Sequence, residues 1–402
     1  MEIRSTTEKD LDVFVDTVHA AFGRFPETPA EDGGGLWWSA IEPERCLLAE
    51  TAEGRPVGTA GAYSFELTLP GGALTPVSGV SFVGVLPTHR RRGVLTAMMR
   101  RQLADLRARG EFLSVLLASE ASIYGRFGYG PATYTGRLTV PRHRAVLAAP
   151  RAGGTDTGSV EVLRRADCRD LLEELYDRYR RARPGALSRP HRWWALNAGQ
   201  PPVSAAPRYI ALHRDADGTP DGYASYSLDG GTLMVDETIA VDDAVTSALS
   251  RVLLGHDLVD QVVFKHFTAE HPLRWQLADF GAAQVGNSTE WLWVRLLDVP
   301  RALTARGWSA DGELVLDVDD PFLGERARHL LTVRGGEATC VPTDREPDLS
   351  LDVRDLGAVY LGGTPVSTLV RAGHVRAHRP EAAALADALF RTERPPHCLS
   401  WF

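Results

Sequence analysis

The sequence predicts an α/β chain of several domains that closes on an α+β unit, and three observations carry that expectation. A buried strand, an amphipathic helix and a second strand follow one another between 81 and 119. A run of similar order begins near 208. From about 296, short strands precede helical segments. A length of 402 residues agrees, since one hydrophobic core rarely serves more than roughly 250–300 residues.

In the first unit, 45–50 (RCLLAE) and 56–65 (PVGTAGAYSF) read as antiparallel strands across a Glu53-Gly54 turn, and 81–86 (SFVGVL) as a buried strand. Leu95, Met98, Met99, Leu103 and Leu106 recur at a helical period between Gly93 and Arg109, and Gly110 ends that helix. FLSVLLAS at 112–119 is the next strand, which implies a parallel pair joined by a right-handed crossover. The polar stretch 27–35 reads as a loop and 148–158 as a linker. Strands at 208–228 and 232–241 and a helix from Val245 repeat the order of the first unit, without a counterpart of its Arg- and Gly-containing turn at 90–93. The domains are placed at 1–147, 159–295 and 296–402.

Composition excludes several functions. Hydrophobic residues at 44% and charged residues at 24% suit a folded globular chain, and no run reaches the roughly 18 apolar residues of a membrane helix. The start MEIRSTTEKD lacks the pattern of a secretory signal, which points to the cytoplasm. Cys46, Cys168, Cys340 and Cys398 form no CxxC pair and read as buried free thiols. A net charge of -8 disfavours nucleic acid and favours cationic partners. The histidines, His89 and His266 among them, form no ligand spacing, so no metal is expected.

The strongest local signal is SFVGVLPTHRRRGVLTAMM, in which a strand passes through a basic turn into a helix start. The free N–H groups of a first helical turn, at the positive end of the helix dipole, suit a pyrophosphate. Arg91, Arg92, Gly93, Val94, Leu95 and Thr96 are the candidates. If the strand splays from its neighbour, the backbone of Val83, Gly84 and Val85 pairs with an amide-bearing ligand as an added strand would. Ser119 and Glu120 fall at the end of the second strand. Tyr124 follows in SEASIYGRFGYGPATY. Its phenol, of pKa near 10, can supply a proton to a departing thiolate of pKa near 8.5 where hydrogen bonding assists. Tyr129 and Tyr134 read as core tyrosines.

The turn at Arg90–Gly93 resembles the acetyl-CoA loop of GNAT acetyltransferases, with Leu95 where that pattern has a small residue. THRRRG, IYGRFGYGP, a degenerate second GNAT-like domain, PDLSLDVRDLGAVYLGG and the ending CLSWF together resemble the enhanced intracellular survival (Eis) family over essentially the whole chain. The resemblance implies two tandem GNAT-like domains and a sterol-carrier-like C-terminal domain, assembled as a hexamer. It implies acetyl-CoA as cosubstrate, Tyr124 as general acid and the Phe402 carboxylate as general base. The acceptors it implies are aminoglycosides and other amines. For these, Glu27, Glu31 and Asp32 are candidate carboxylates, and Phe22, Phe25, Trp37, Trp38 and Phe82 candidate walls. Trp401 stands where broadly active family members can carry an acidic residue. Two other readings compete: acetylation of protein lysines or polyamines, and an apolar-ligand carrier in which the GNAT-like domains are scaffold.

Overall fold

A computed structural model describes residues 1–23, 40–148, 158–190, 193–194, 208–268 and 270–402. The first sheet contains β1 (Glu2–Ser5), β2 (Leu47–Glu50), β3 (Pro56–Thr68), β4 (Leu74–Val85), β5 (Leu113–Leu117) and β6 (Gly130–Pro131). The second contains β7 (Tyr134–Pro141), β8 (Ser159–Arg164), β9 (Tyr209–Arg214), β10 (Pro220–Asp229), β11 (Thr232–Ala240), β12 (Gln261–Phe267) and β13 (Gln284–Glu290). β14 (Leu292–Leu296) completes the first sheet. The third holds β15 (Gly312–Asp320), β16 (Glu325–Arg334), β17 (Glu337–Pro342), β18 (Leu349–Asp352) and β19 (Arg376–Ala377).

The first two sheets exchange strands. β14 lies between β5 and β6, and β7 lies between β13 and β12. Each sheet is therefore completed by backbone from the other half of the chain, through antiparallel ladders such as Leu292↔Leu117 and Val263↔Thr139. A buried ion pair from Arg295 on β14 to Asp320 on β15, and a two-pronged Arg107–Glu325 bridge at 2.7 and 2.8 Å, tie the third unit to the first sheet.

Helix α1 (Leu11–Phe22) and helix α2 (Val94–Ala108) cover the first sheet. The apolar stripe read from the sequence is the one that packs: Met98, Met99, Leu103 and Leu106 are buried. Ala62, Val80 and Leu116 meet that helix on one face. On the opposite face Phe65, Val77 and Val115 join the core that runs into the third unit. Helix α3 (Ala121–Tyr124) follows β5, and α4 (Arg169–Arg181) and α5 (Asp243–Leu254) belong to the second unit.

The segment 81–86 departs from the buried strand expected. It is half-buried along its length, because β5 has stopped pairing with it. Tyr134 is also more open than a core tyrosine, at 38% exposure, with its hydroxyl 2.8 Å from the Thr364 Oγ1. All four cysteines are buried and free.

Candidate active site

Strands β4 and β5 run parallel only from Ser78↔Ser114 to Val80↔Leu116, after which they part. A bulge in β4 causes the departure. Two residues, Phe82 and Val83, stand opposite the single Ala60 of β3, between the pairs Gly61↔Ser81 and Thr59↔Gly84. Phe82 takes φ +57, an uncommon value for a bulky side chain. Its carbonyl accepts a 2.7 Å hydrogen bond from the Thr59 hydroxyl, which holds the kink in place.

The opened edge leads to the basic turn. Arg91 at φ +62 and Gly93 at φ +82 bend the chain sharply into α2, whose N-cap is Gly93 with no side-chain cap. Arg91, Arg92, Gly93 and Thr96 are exposed, Leu95 is half-buried and Val94 is buried beneath them. The first turn thus presents open donors and two mobile-length cations to solvent, an arrangement suited to a pyrophosphate. Arg90 takes a different part. Its Nε donates to the Val85 carbonyl at 3.1 Å and a terminal nitrogen to the Ala21 carbonyl at 2.8 Å. Val85 therefore does not offer the free carbonyl expected of it, whereas the bulge leaves Val83 and Gly84 on the parted edge.

Beyond β5, Ser119 and Glu120 are exposed, and Glu120 stands at the N-cap position of α3 without a side-chain cap bond. Tyr124 ends that helix and is 7% exposed. Burial first, then the charge of Glu120, push its phenol up to about 12. It packs with Val80 and Leu116, on the α2 face of the sheet. Tyr129 is fully buried beside it, with its hydroxyl 2.8 Å from the Ser114 Oγ.

The end of the chain arrives on the other face. Phe402 is 8% exposed and belongs to the core containing Phe65 and Val115. Its ring lies 3.0 Å from where a Cβ on Gly79 would stand, next to the last paired residues of β4. The Trp291 indole donates to the Ser400 carbonyl at 3.1 Å, and the His397 amide to the Pro184 carbonyl at 2.8 Å, so the tail is tied down on both sides. A chain of aromatic rings joins Phe402 to Phe65 (5.1 Å), Phe65 to Trp193 (5.3 Å), Trp193 to Tyr63 (4.7 Å) and Tyr63 to Phe82 (5.1 Å). Tyr63, Phe65 and Trp193 were not singled out in the sequence, where Tyr63 and Phe65 fall in the strand read over 56–65 and no element is read at Trp193. The doublet Trp193-Trp194 was the available signal.

Phe22, half exposed at the end of α1, sits by Gly84. Phe25, Glu27, Glu31, Asp32, Trp37 and Trp38 lie outside the described residues, as does 149–157 of the expected linker. Trp401 is half-buried. Among the described residues no group of three or more His, Cys, Asp or Glu side chains could hold a metal ion, and no helix is long and apolar enough to cross a membrane.

Comparison with known proteins fits this geometry. Residues 2–132 and 185–296 match descriptions of an acetyltransferase (GNAT) domain, and residues 299–399 match the sterol carrier protein domain. The chain is 37% identical over 394 residues to the N-acetyltransferase Eis of Mycobacterium tuberculosis, covering 93% of this chain and 94% of that one. It is 36% identical over 414 residues to an uncharacterized N-acetyltransferase of Streptomyces avermitilis, covering 100% and 99%. The crystal structure of Eis1 from Mycobacterium abscessus superimposes with a TM-score of 0.86 at 33% identity, covering all of both chains.

Proposed function

Because the chain belongs to the Eis family of GNAT N-acetyltransferases, we propose that it transfers acetyl from acetyl-CoA directly to amines of aminoglycoside-like polycations. Acetyl transfer from acetyl-CoA to an amine is the chemistry of that family. The observation that carries the finer reading is the parting of β4 from β5 at Val80 and Leu116, with Tyr124 packed on one face and Phe402 on the other.

In this reading the pyrophosphate rests on the N–H groups from Gly93 to Thr96, flanked by Arg91 and Arg92. The pantetheine arm lies along Val83 and Gly84 in place of a strand, with Val85 held by Arg90 and with Ser119 and Glu120 at the far lip. The amine enters from the Phe402 side. There the terminal carboxylate takes a proton from it, directly or through a water, as it attacks the thioester carbon. Tyr124 gives its proton to the departing thiolate on the other side. A phenol held near 12 stays protonated throughout the neutral range, so the acid is always in its donating form. Positioning in the cleft supplies much of the remaining rate.

Half-buried Phe82 suits a cation through the face of its ring, braced from behind by buried Tyr63, Trp193 and Phe402, and Glu27, Glu31, Asp32, Phe25, Trp37 and Trp401 complete the proposed acceptor site. A cytoplasmic homohexamer is the assembly this reading carries. The test is release of CoA thiol by the purified chain against a panel of aminoglycosides, polyamines and lysine peptides. Turnover with aminoglycosides is expected. Turnover confined to lysine peptides or polyamines would move the acceptor, and silence across the panel would overturn the reading.

A further inference from the structure

The second unit repeats the parting of strands seen in the first. β11 and β12 run parallel from Thr232↔Gln261 to Val235↔Phe264 and pair no further. A cavity of about 290 Å³ opens there, roofed by residues 393–399 of the tail. That volume is at the lower end for small-molecule sites. The entrance differs chemically from that of the first unit. The Asp242 carboxylate accepts the Val245 N–H at 2.9 Å and Asp243 follows it, so the first turn of α5 is already capped by negative charge. A pyrophosphate is repelled here.

Most charges lining the cavity are spoken for. Asp236 is paired with Lys265 and Arg208, Glu237 with Arg189, and Asp243 with Arg394 at 2.9 Å. Three are not. Arg183 has a buried Nε with no hydrogen-bond partner, and neither Glu270 nor Glu393 has an ion-pair or hydrogen-bond partner among the described residues. His397, only 7% exposed, lines the same cavity with a buried Nε2 that has no hydrogen-bond partner among the described residues. Arg183 lies close enough to His397 to act on its charge, and burial keeps His397, His266 and His271 neutral. A buried donor without a partner carries an uncompensated desolvation cost, which a ligand oxygen would recover.

We propose that this cleft binds a small amino acid as a zwitterion, with its carboxylate on Arg183 and His397 and its ammonium toward Glu270 and Glu393. Unmatched groups of both signs favour a two-ended ligand over a simple anion or cation, because each end then meets an opposite charge. The site is separate from the transfer cleft and stands whether or not the acceptor assigned above is right.

The experiment is calorimetric titration of the full-length chain, without acetyl-CoA, with the common amino acids, acetate and butylamine. One amino acid or a related set should bind once per chain, at least about tenfold more tightly than acetate or butylamine. Arg183→Gln should weaken that binding at least about tenfold with an unchanged melting temperature, since the side chain it removes holds nothing else. His397→Asn, which keeps the backbone bond to Pro184, should weaken it as well. A chain lacking Phe402 should bind as the parent does. The proposal is overturned if no amino acid binds, if acetate binds equally well, if Arg183→Gln binds unchanged, or if removal of Phe402 abolishes binding and so places the ligand in the transfer cleft.

Discussion

The ring of Phe402 meets the ring of Phe65 at 61° with centroids 5.1 Å apart, so the last residue of the chain is seated on a strand of the first sheet. Edge-on aromatic contact of this kind adds about 0.5–1.5 kcal/mol beyond burial. The side chain acts as an anchor for the group behind it, which is the terminal carboxylate.

Removing Phe402 alone therefore displaces the carboxylate and transfers it to Trp401. We expect kcat to fall by about 10²–10⁴, with acetyl-CoA affinity unchanged in calorimetry. Phe402→Ala keeps a carboxylate at the same chain position but loses the anchor, so its activity should lie between. Full activity of the shortened chain would remove the proposed base.

Tyr124→Phe deletes a hydroxyl and leaves the packed ring. Turnover should drop by about 10²–10⁴ while the melting temperature holds within a degree or two. The pH profile gives a second check. With the phenol raised to about 12, the acid keeps its proton as pH climbs, so kcat of the parent should show no alkaline loss from this group below about pH 11. An alkaline limb centred near 9 that vanishes in the Phe variant would contradict the burial-raised phenol.

Those two residues also mark how far the sequence could be read. Helix α2 was legible because Met98, Met99, Leu103 and Leu106 repeat at 3.6 residues. The open helix start was legible because Gly93 and the arginines stand together. The exchange of β7 and β14 between sheets was not, since alternation of side chains says which residues face inward and nothing about which strand lies alongside. The bulge at Phe82 was hidden for a similar reason. It depends on a hydroxyl 23 residues away, that of Thr59, and a strand carries no local sign of such a partner. Arg90 opens the turn that resembles an acetyl-CoA loop, and only its hydrogen bonds to the Val85 and Ala21 carbonyls show it to be a clamp.

Gly93 offers a test of the cofactor turn that does not touch charge. At φ +82 an alanine is strained by about 1 kcal/mol, yet a Cβ there meets no atom within 4 Å. Gly93→Ala should lower stability by about that amount and raise KM for acetyl-CoA, leaving kcat at saturation nearly unchanged. A variant with unchanged KM would place the pyrophosphate elsewhere.

Arg295 is fully buried on β14 and its ion pair with Asp320 fastens the exchanged strand to the third unit. Its Nε and one terminal nitrogen have no hydrogen-bond partner among the described residues. Asp320→Ala leaves that cation uncompensated, and about 3–5 kcal/mol of stability should be lost in denaturant melts. Replacing both residues by apolar ones of similar volume should recover most of the loss. If the single change is silent, the pair does not hold the units together.

Two half-buried histidines set an acid limit on the second unit. Burial lowers His266 and His271 to about 4, whereas in the unfolded chain each titrates near 6.5. Between those values the unfolded state binds protons that the folded state refuses, so folding is fully favoured above about pH 6.5 and weakens as pH falls toward 4. Each histidine contributes at most about 1.4 kcal/mol per pH unit across that window. Thermal melts from pH 7.5 to 4 should show a declining melting temperature. His271→Asn, which removes one titrating group from the cavity wall, should flatten the slope by about one proton. An unchanged slope in that variant would mean the imidazole is charged in the folded chain, and the neutral interior drawn for this cleft would be wrong.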